Sequence, residues 1–388
     1  MDLKADDLII DRVCGYGILI DGELKMQVFC SPLRYVQGIS ASNQLAQQMD
    51  AVGMKPPVLL VASKSARRQA ENAWQESMKQ MGWEFSILDF TGECTPKEID
   101  SVVARAKALG VKSLVGAGGG KVLDTARAAA NICNISIALA PSIASTDAPT
   151  SALSVVYDEQ GKVLEYRIFK RNPDLVLVDI SLISQAPVRF LAAGIGDALS
   201  TFFESDACRL SRKPNMRGGL STQAAFALAR FCFDSIIADG ADACVAVANK
   251  IISPALERVV EANTLLSGLG FESSGLAAAH AIHNGLTMIP STHDFLHGEK
   301  VTIGVLAQLA LEGKPRPFFQ DIVRFLKSVN LPTRLKDLGI DVTDLNAINI
   351  IAKRATQPGE TIHNEPFPVT LSMVADALRA ADALASQV

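Results

Sequence analysis

The sequence predicts an α/β N-terminal unit built on a parallel sheet, followed by an all-α C-terminal unit. Three observations lead there. Short β-rich apolar runs alternate with amphipathic stretches of helical length over the first half of the chain, strand signals nearly vanish after Pro187, and three consecutive glycines, Gly118–Gly120, stand where one apolar run passes into a helix. Strands alternating with helices imply βαβ units, because parallel strands must be joined by a crossover.

Val58–Val61 reads as a buried strand followed by a helix over Arg67–Met81, and Phe85–Leu88 as a second strand followed by a helix from Pro96 to Leu109. Ser113–Val115, the glycine cluster, a helix over Val122–Ile132 and a strand at Ser136–Leu139 continue the pattern. Residues 151–183 break it. Ala152–Tyr157, a turn at Asp158–Gly161 and Val163–Phe169 read as a hairpin, with Leu175–Val178 as a returning strand. Beyond Pro187 helix formers dominate, punctuated by Ser221, Gly240, Ser253-Pro254 and Pro332 as caps and stops.

With 388 residues and 48% hydrophobic content the chain has ample core for two such units. A net charge of -4 and the lack of a long basic run argue against nucleic acid as the main partner. Residues such as Arg127, Asn131 and Asp147 interrupt the apolar stretches before they reach bilayer-spanning length, so no membrane association is expected. The first 25 residues lack the basic start and unbroken apolar core of a signal peptide, which makes the expected location cytoplasmic. Seven cysteines, dispersed and without a C-x-x-C pair, read as reduced thiols.

Four of the five histidines, His280, His283, His293 and His297, fall within eighteen residues. Histidine is the commonest side-chain metal ligand and the usual acid or base near neutral pH, so this crowding marks the chemistry. Ala-rich spacing puts His280 and His283 on one helical face at i, i+3, with Asn284-Gly285 as the helix stop. Taken singly, each histidine is as well explained as a helix-end cap or a satisfied core group; four together point to a site.

The cluster Gly116-Ala117-Gly118-Gly119-Gly120-Lys121 lies between a strand and a helix. Backbone without side chains lets a diphosphate approach the main-chain N–H groups, and the positive end of the following helix favours the anion. The spacing is neither a strict G-x-G-x-x-G nor a Walker pattern, since Val122 follows Lys121, and a tight structural turn competes; three glycines with Lys121 and Asp124 favour a nucleotide. A second polar island, Pro141–Ser151, follows the next strand, so both loops should emerge at the carboxyl ends of parallel strands, where ligands bind. Its one charge is Asp147, for which an Asx-turn is the competing explanation. A third island, Ala192–Ser200, puts Asp197 near the start of an apolar helix, as either an N-terminal helix charge or the third ligand beside two histidines.

Seven segments then carry a resemblance: Gly118–Thr125 (GGGKVLDT), Ser142–Tyr157 (SIASTDAPTSALSVVY), Asn172–Val178 (NPDLVLV), Ala186–Leu199 (APVRFLAAGIGDAL), Asn263–Leu286 (NTLLSGLGFESSGLAAAHAIHNGL), His297–Val301 (HGEKV) and Gly359–Pro368 (GETIHNEPFP). In order and spacing, from about Met26 to the end, they resemble the glycerol dehydrogenases of the iron-type alcohol dehydrogenase superfamily, whose fold is that of dehydroquinate synthase. The resemblance implies oxidation of glycerol to dihydroxyacetone with hydride transfer to NAD, and zinc held by Asp197, His280 and His297. It implies that Asp147 is catalytic and that Asp147, Phe271 and the three ligands meet the substrate. Gly118, Gly119, Gly120, Lys121, Asp124, Ser142, Ser145, Ser151, Leu153 and Tyr157 are the implied cofactor contacts. His283 would support or line the pocket, with His293 and His363 as bystanders. Relatives with a fourth protein ligand carry a histidine four residues after the aspartate; Thr201 stands there, which favours zinc over ferrous iron. The implied units are 1–25 as an N-terminal extension, 26–185 as the dinucleotide-binding part and 186–388 as the metal- and substrate-binding part, in a homo-oligomer of the octameric kind.

Two departures stand out. Where such relatives end the strand corresponding to Val58–Val61 with an aspartate that bonds the adenosine ribose, this chain has Ser63, followed by Lys64, Arg67 and Arg68. Removal of the carboxylate opens NADP as an alternative cofactor, against the reading of these cations as a solvated helix start. The first 25 residues precede the family's usual beginning and read as an extra strand pair or as a start placed too far upstream. Alternative substrates on the same fold are another vicinal diol, a 2-hydroxy acid or a diol phosphate, the last disfavoured by the lack of extra basic residues near Asp147 and Phe271. A lyase of the dehydroquinate synthase type, which recycles its dinucleotide within one turnover, is the alternative of a different class.

Overall fold

The computed structural model describes residues 18–20, 23–159, 161 and 163–388. β1 (Ile18–Ile20) and β2 (Glu23–Lys25) pair antiparallel, so the strand-pair alternative holds for residues 18–20 and 23–25, while residues 1–17, 21 and 22 lie outside the described residues. The main sheet is six-stranded and parallel, in the order β3-β10-β7-β6-β4-β5. Its strands are β3 (Tyr35–Gly38), β4 (Val58–Ala62), β5 (Phe85–Asp89), β6 (Ser113–Gly118), β7 (Ser136–Pro141) and β10 (Leu175–Asp179). α1 (Leu45–Asp50), α2 (Lys64–Gln80), α3 (Pro96–Ala108) and α4 (Gly120–Cys133) make the crossovers.

Alternation along β4 explains why the expected runs are continuously apolar. Leu59 and Val61 pack with Ile99, Val102, Leu123 and Ala126 on one face, while Val58, Leu60 and Ala62 pack with Leu45, Met49, Trp74 and Met78 on the other. Helices cover both faces, so neither set of alternate residues is free to be polar. Ser63 accepts from the N–H of Ala66 and starts α2, and Thr95 accepts from that of Glu98 and starts α3. Asn134 ends α4 in the left-handed conformation (φ 52°), as asparagine tolerates.

β8 (Leu153–Tyr157) and β9 (Val163–Ile168) form the expected antiparallel hairpin, outside the main sheet. It is tied to α4 by Arg127, whose fully buried guanidinium donates to the carbonyls of Leu153 and Ala148 and to Asp124 Oδ1. After β10 the chain is helical: α5 (Ile180–Gln185), α6 (Val188–Ser211), α7 (Gln223–Ala248), α8 (Pro254–Glu261), α9 (Ser267–Ser274) and α10 (Ala278–Leu286) come first. α11 (His297–Leu311), α12 (Arg316–Ser328), α13 (Leu345–Ala355) and α14 (Leu371–Ala385) complete it. No helix among the described residues is long and apolar enough to cross a membrane. Among the described residues, six cysteines are free thiols.

Several expectations need correction. β3 and α1 have no counterpart in the sequence reading, because Tyr-Val-Gln-Gly is a half-buried edge without an apolar run. Thr222, not Ser221, caps α7, and Gly240 lies inside that helix, where an added Cβ would meet the Phe325 ring at 2.9 Å. Asn284-Gly285 stands, as expected, at the end of α10, which stops at Leu286, and Gly285 also serves packing, because a Cβ would stand 2.4 Å from the carbonyl oxygen of Ile351. Both glycines serve the neighbouring element.

The same logic brings α6 against α11. A Cβ at Gly298 would lie 1.7 Å from the carbonyl oxygen of Ala193, and one at Gly196 would lie 2.7 Å from the carbonyl oxygen of Gly298. Two backbones thus meet with no side chain between them, next to Asp197 on one helix and His297 on the other. Because the obstructing atoms are backbone, Gly298→Ala should destabilise the protein by about 1–3 kcal/mol, as overpacking does. The midpoint of urea unfolding checks it, with Gly38→Ala, where a Cβ meets nothing within 4 Å, expected to stay within about 0.5 kcal/mol of the parent.

Candidate metal centre

Asp197, His280 and His297 converge from α6, α10 and α11, with ligand atoms all within 4.8 Å of one another. Asp197 Oδ1 lies 3.1 Å from His297 Nε2 and 3.5 Å from His280 Nε2. It is buried and has no hydrogen-bond partner. The other carboxylate oxygen, Oδ2, accepts from the backbone N–H of Asp147 at 3.2 Å. A buried carboxylate oxygen left without a donor costs free energy unless a cation meets it, and two imidazole nitrogens aimed at the same point are what a metal ion requires. The residues present fit a divalent ion. Asp197 is fully enclosed, whereas the His297 side chain is 35% exposed, so the open direction of the cradle lies on that side.

Each imidazole is held from behind. His280 Nδ1 bonds Glu204 Oε2 at 2.6 Å, and Glu204 Oε1 also accepts from the N–H groups of Ala277 and His280, which fixes the start of α10. His297 Nδ1 bonds His283 Nε2 at 3.0 Å. Second partners of this kind orient ligating imidazoles and set their tautomers. Burial opposes ionisation of Asp197, but the facing imidazoles outweigh it and hold its carboxyl well below the usual range. Burial opposes the charged form of His280 too, which would lower it; the carboxylates of Glu204 and Asp197 prevail and raise it.

Asp147 joins the same site from the loop after β7. Its Oδ2 accepts from Ser267 Oγ at 2.8 Å, and with that hydroxyl proton committed, Thr201 Oγ1 donates to Ser267 at 2.8 Å. Thr201 therefore serves the loop and brings no imidazole to the centre. Burial first, and then the charge of Asp197, push the Asp147 carboxyl well above its ordinary range. Gly268 permits this approach, because a Cβ there would stand 1.9 Å from Thr150 Oγ1 and 2.9 Å from the carbonyl oxygen of Asp147. Phe271 is buried on α9, four residues after Ser267 and on the same helical face.

The glycine loop and the polar loop touch. The Ser142 N–H donates to the carbonyl of Gly118 at 3.0 Å, and a Cβ at Gly119 would lie 3.1 Å from Ile143 Cδ1. Gly119 caps α4 and Gly120 begins it, leaving free N–H groups at the helix start. Lys121 Nζ bonds Glu93 Oε2 at 2.5 Å and lies 5.5 Å from the centre of the Tyr157 ring. Ser145 is partly exposed, whereas Ser151 is buried with its hydroxyl on the Ala148 carbonyl. Leu153 opens β8 with its carbonyl on Arg127. Asp124 turns inward, with Oδ1 on Arg127 at 2.6 Å and Oδ2 accepting from the Val155 N–H at 3.1 Å; burial raises its carboxyl to about 6.

His293 and His363 are exposed, each bonded to a nearby backbone carbonyl, Thr287 and Gln357 respectively. Glu204 has no counterpart in the sequence reading. Its signal was there: at seven residues after Asp197 it falls on the same face of α6, two turns along.

Comparison with known proteins agrees with this geometry. The sequence profile of the iron-containing alcohol dehydrogenases matches residues 32–180. The chain is similar to a glycerol dehydrogenase of Pseudomonas putida, with 46% identity over 91% of this chain and 96% of that one. It is also similar to a glycolaldehyde reductase of Halobacterium salinarum, with 42% identity over 93% and 98%. The crystal structure of a probable glycerol dehydrogenase from Sinorhizobium meliloti superposes with a TM-score of 0.87 at 40% identity, covering 93% of this chain and all of the other. Together with the parallel sheet, the helical second half and the Asp-His-His cradle at their junction, these likenesses show that the chain belongs to the iron-containing alcohol dehydrogenase family.

Proposed function

We propose that the protein is a zinc-dependent dehydrogenase that oxidises glycerol to dihydroxyacetone with NAD. The single observation that carries the reading is the orphaned Asp197 Oδ1 facing two imidazole Nε2 atoms, in a chain so similar to glycerol dehydrogenases. Three protein ligands with one side open suit catalytic zinc, and Thr201, bonded to Ser267, stands where a four-ligand relative has its further histidine. Zinc, when bound, supplies Lewis acidity toward a substrate hydroxyl, and NAD supplies the hydride acceptor.

The chain's own part is to hold and aim. Glu204 and His283 fix the two imidazoles; the Asp147 N–H fixes the aspartate; and the Asp147 carboxyl, beside the cradle, orients a hydroxyl or takes its proton. Gly118, Gly119 and Gly120 open the helix start to a diphosphate, Lys121 adds a cation, and Ser142, Ser145, Ser151, Leu153 and Tyr157 complete the cofactor side. Asp124 acts on that side through the Arg127 brace. Phe271 supplies an apolar wall toward the substrate. The reading includes a homo-oligomer, with the dinucleotide part over 26–185 and the metal part over 186–388.

A second cofactor reading has its own observation. Ser63 donates its N–H to the Ala117 carbonyl, and its Oγ lies 3.1 Å from where a Cβ on Gly118 would stand, so it sits against the glycine loop without a charge. Arg67 is engaged with Glu71 and Asp89, which leaves exposed Lys64 and Arg68 as cations for a 2′-phosphate. Assay of zinc-loaded protein with glycerol against NAD and NADP separates the two, and net accumulation of reduced cofactor separates both from a lyase that recycles it.

Three outcomes follow from this reading. Ala in place of Asp197, His280 or His297 should leave a folded protein with greatly reduced bound zinc and activity, whereas His293→Ala stays metallated; full zinc content in His297→Ala sinks the ligand set. Ser63→Asp should raise the preference for NAD over NADP on the order of tenfold, because a carboxylate accepts from a 2′-hydroxyl and repels a 2′-phosphate. An unchanged ratio of the two kcat/KM values would remove Ser63 from the cofactor site. Asp147→Asn keeps the size and the backbone N–H, so it should bind zinc and cofactor normally while turnover falls on the order of a hundredfold. Near-parental turnover would leave Asp147 a structural residue.

A further inference from the structure

We propose that Asn284 is a positioning residue for the metal centre: anchored by Glu360, its side-chain oxygen sets the tautomer of His283 and, through it, that of His297. The inference rests on the metal reading above and goes beyond it to the groups that decide how one ligand presents its lone pair.

The argument is a count of protons along one chain of contacts. For His297 to offer Nε2 to a metal ion, its proton must sit on Nδ1. That atom faces His283 Nε2 at 3.0 Å, and of two imidazole nitrogens in contact one donates and the other accepts. The choice is made one residue further on. His283 Nδ1 lies 3.3 Å from Asn284 Oδ1, and an amide oxygen can only accept. His283 therefore carries its proton on Nδ1, Nε2 is left as acceptor, and His297 donates from Nδ1 as ligation requires.

An amide can flip, so something must keep the oxygen of Asn284 toward His283. Glu360 does so. Its Oε2 lies 3.0 Å from Asn284 Nδ2 and can only accept, which forces the NH2 group to that side; Arg354 holds the other oxygen of Glu360. The hydroxyl of Tyr166, on β9, donates to the same Asn284 oxygen at 3.3 Å and fills its second lone pair. His280 needs no such relay, because its Nδ1 rests directly on the Glu204 carboxylate. The two ligating imidazoles are thus set in different ways, His280 directly by a carboxylate and His297 through His283 by an amide whose orientation Glu360 decides.

The test uses the full chain with 15N-labelled histidine, whose five residues give a spectrum simple enough to assign by substitution. In the zinc-loaded parent, His283 and His297 should both show the Nδ1–H tautomer. In Asn284→Leu the Nε2–H form of His283 should appear, and the zinc dissociation constant, read by competition with a chelator, should rise about 10–100-fold. Glu360→Ala, which frees the amide to flip, should move both readouts in the same direction and serves if Asn284→Leu does not fold. His283→Gln, whose side-chain oxygen can accept from His297 Nδ1–H, should hold zinc more tightly than His283→Leu. Parental tautomers together with zinc affinity within about twofold in both Asn284→Leu and Glu360→Ala would overturn the proposal. A parent protein that binds no zinc would overturn the metal reading instead.

Discussion

A buried carboxylate organises this molecule. Asp197 is enclosed inside α6, where an unpaired charge would be prohibitive, and the elements around it converge to compensate it. The loop after β7 gives a backbone N–H to one oxygen, and α10 and α11 give imidazoles toward the other. That convergence is also what joins the two halves of the chain, because the loop belongs to the parallel sheet and the helices to the all-α half. The glycine loop and the carboxylate cradle meet at the residues on either side of Asp147.

Such convergence needs backbones closer than side chains normally allow. Gly196 and Gly298 bring α6 onto α11, Gly268 brings α9 onto the loop of Asp147, and Gly194 lets the Ala144 carbonyl approach α6. The contact between exposed Arg189 and buried Glu299 reinforces the first crossing: Glu299 accepts from Nε and Nη2 of Arg189 and also from the N–H of Leu296, the residue before His297. One carboxylate thus fixes both the angle of α11 and the point at which its first residue enters the site.

The sheet was readable from sequence because strands covered on both faces are apolar without interruption, as in Val-Leu-Leu-Val-Ala of β4. β3 was not, since an edge strand of four half-buried residues carries no such run. One glycine misled in the helical half. Gly240 looks like a stop when only its own backbone is considered, and its purpose lies in Phe325, far along the chain. At the site, the histidine cluster was legible by crowding, while Asp197 taken alone is indistinguishable from a helix cap and needed the family resemblance. Glu204 shares a face of α6 with Asp197, but that spacing gains its meaning only when His280 is seen against it.

The brace on Asp197 has a further consequence for how this scaffold can vary. What residue 147 contributes to the aspartate is its main-chain N–H, while its side chain is turned to Ser267. Every amino acid except proline carries that N–H. Position 147 can therefore exchange its side chain, and with it the chemistry presented beside the cradle, without withdrawing the donor that steadies the buried carboxylate. Divergence toward new small substrates and retention of the metal centre are separable at a single residue.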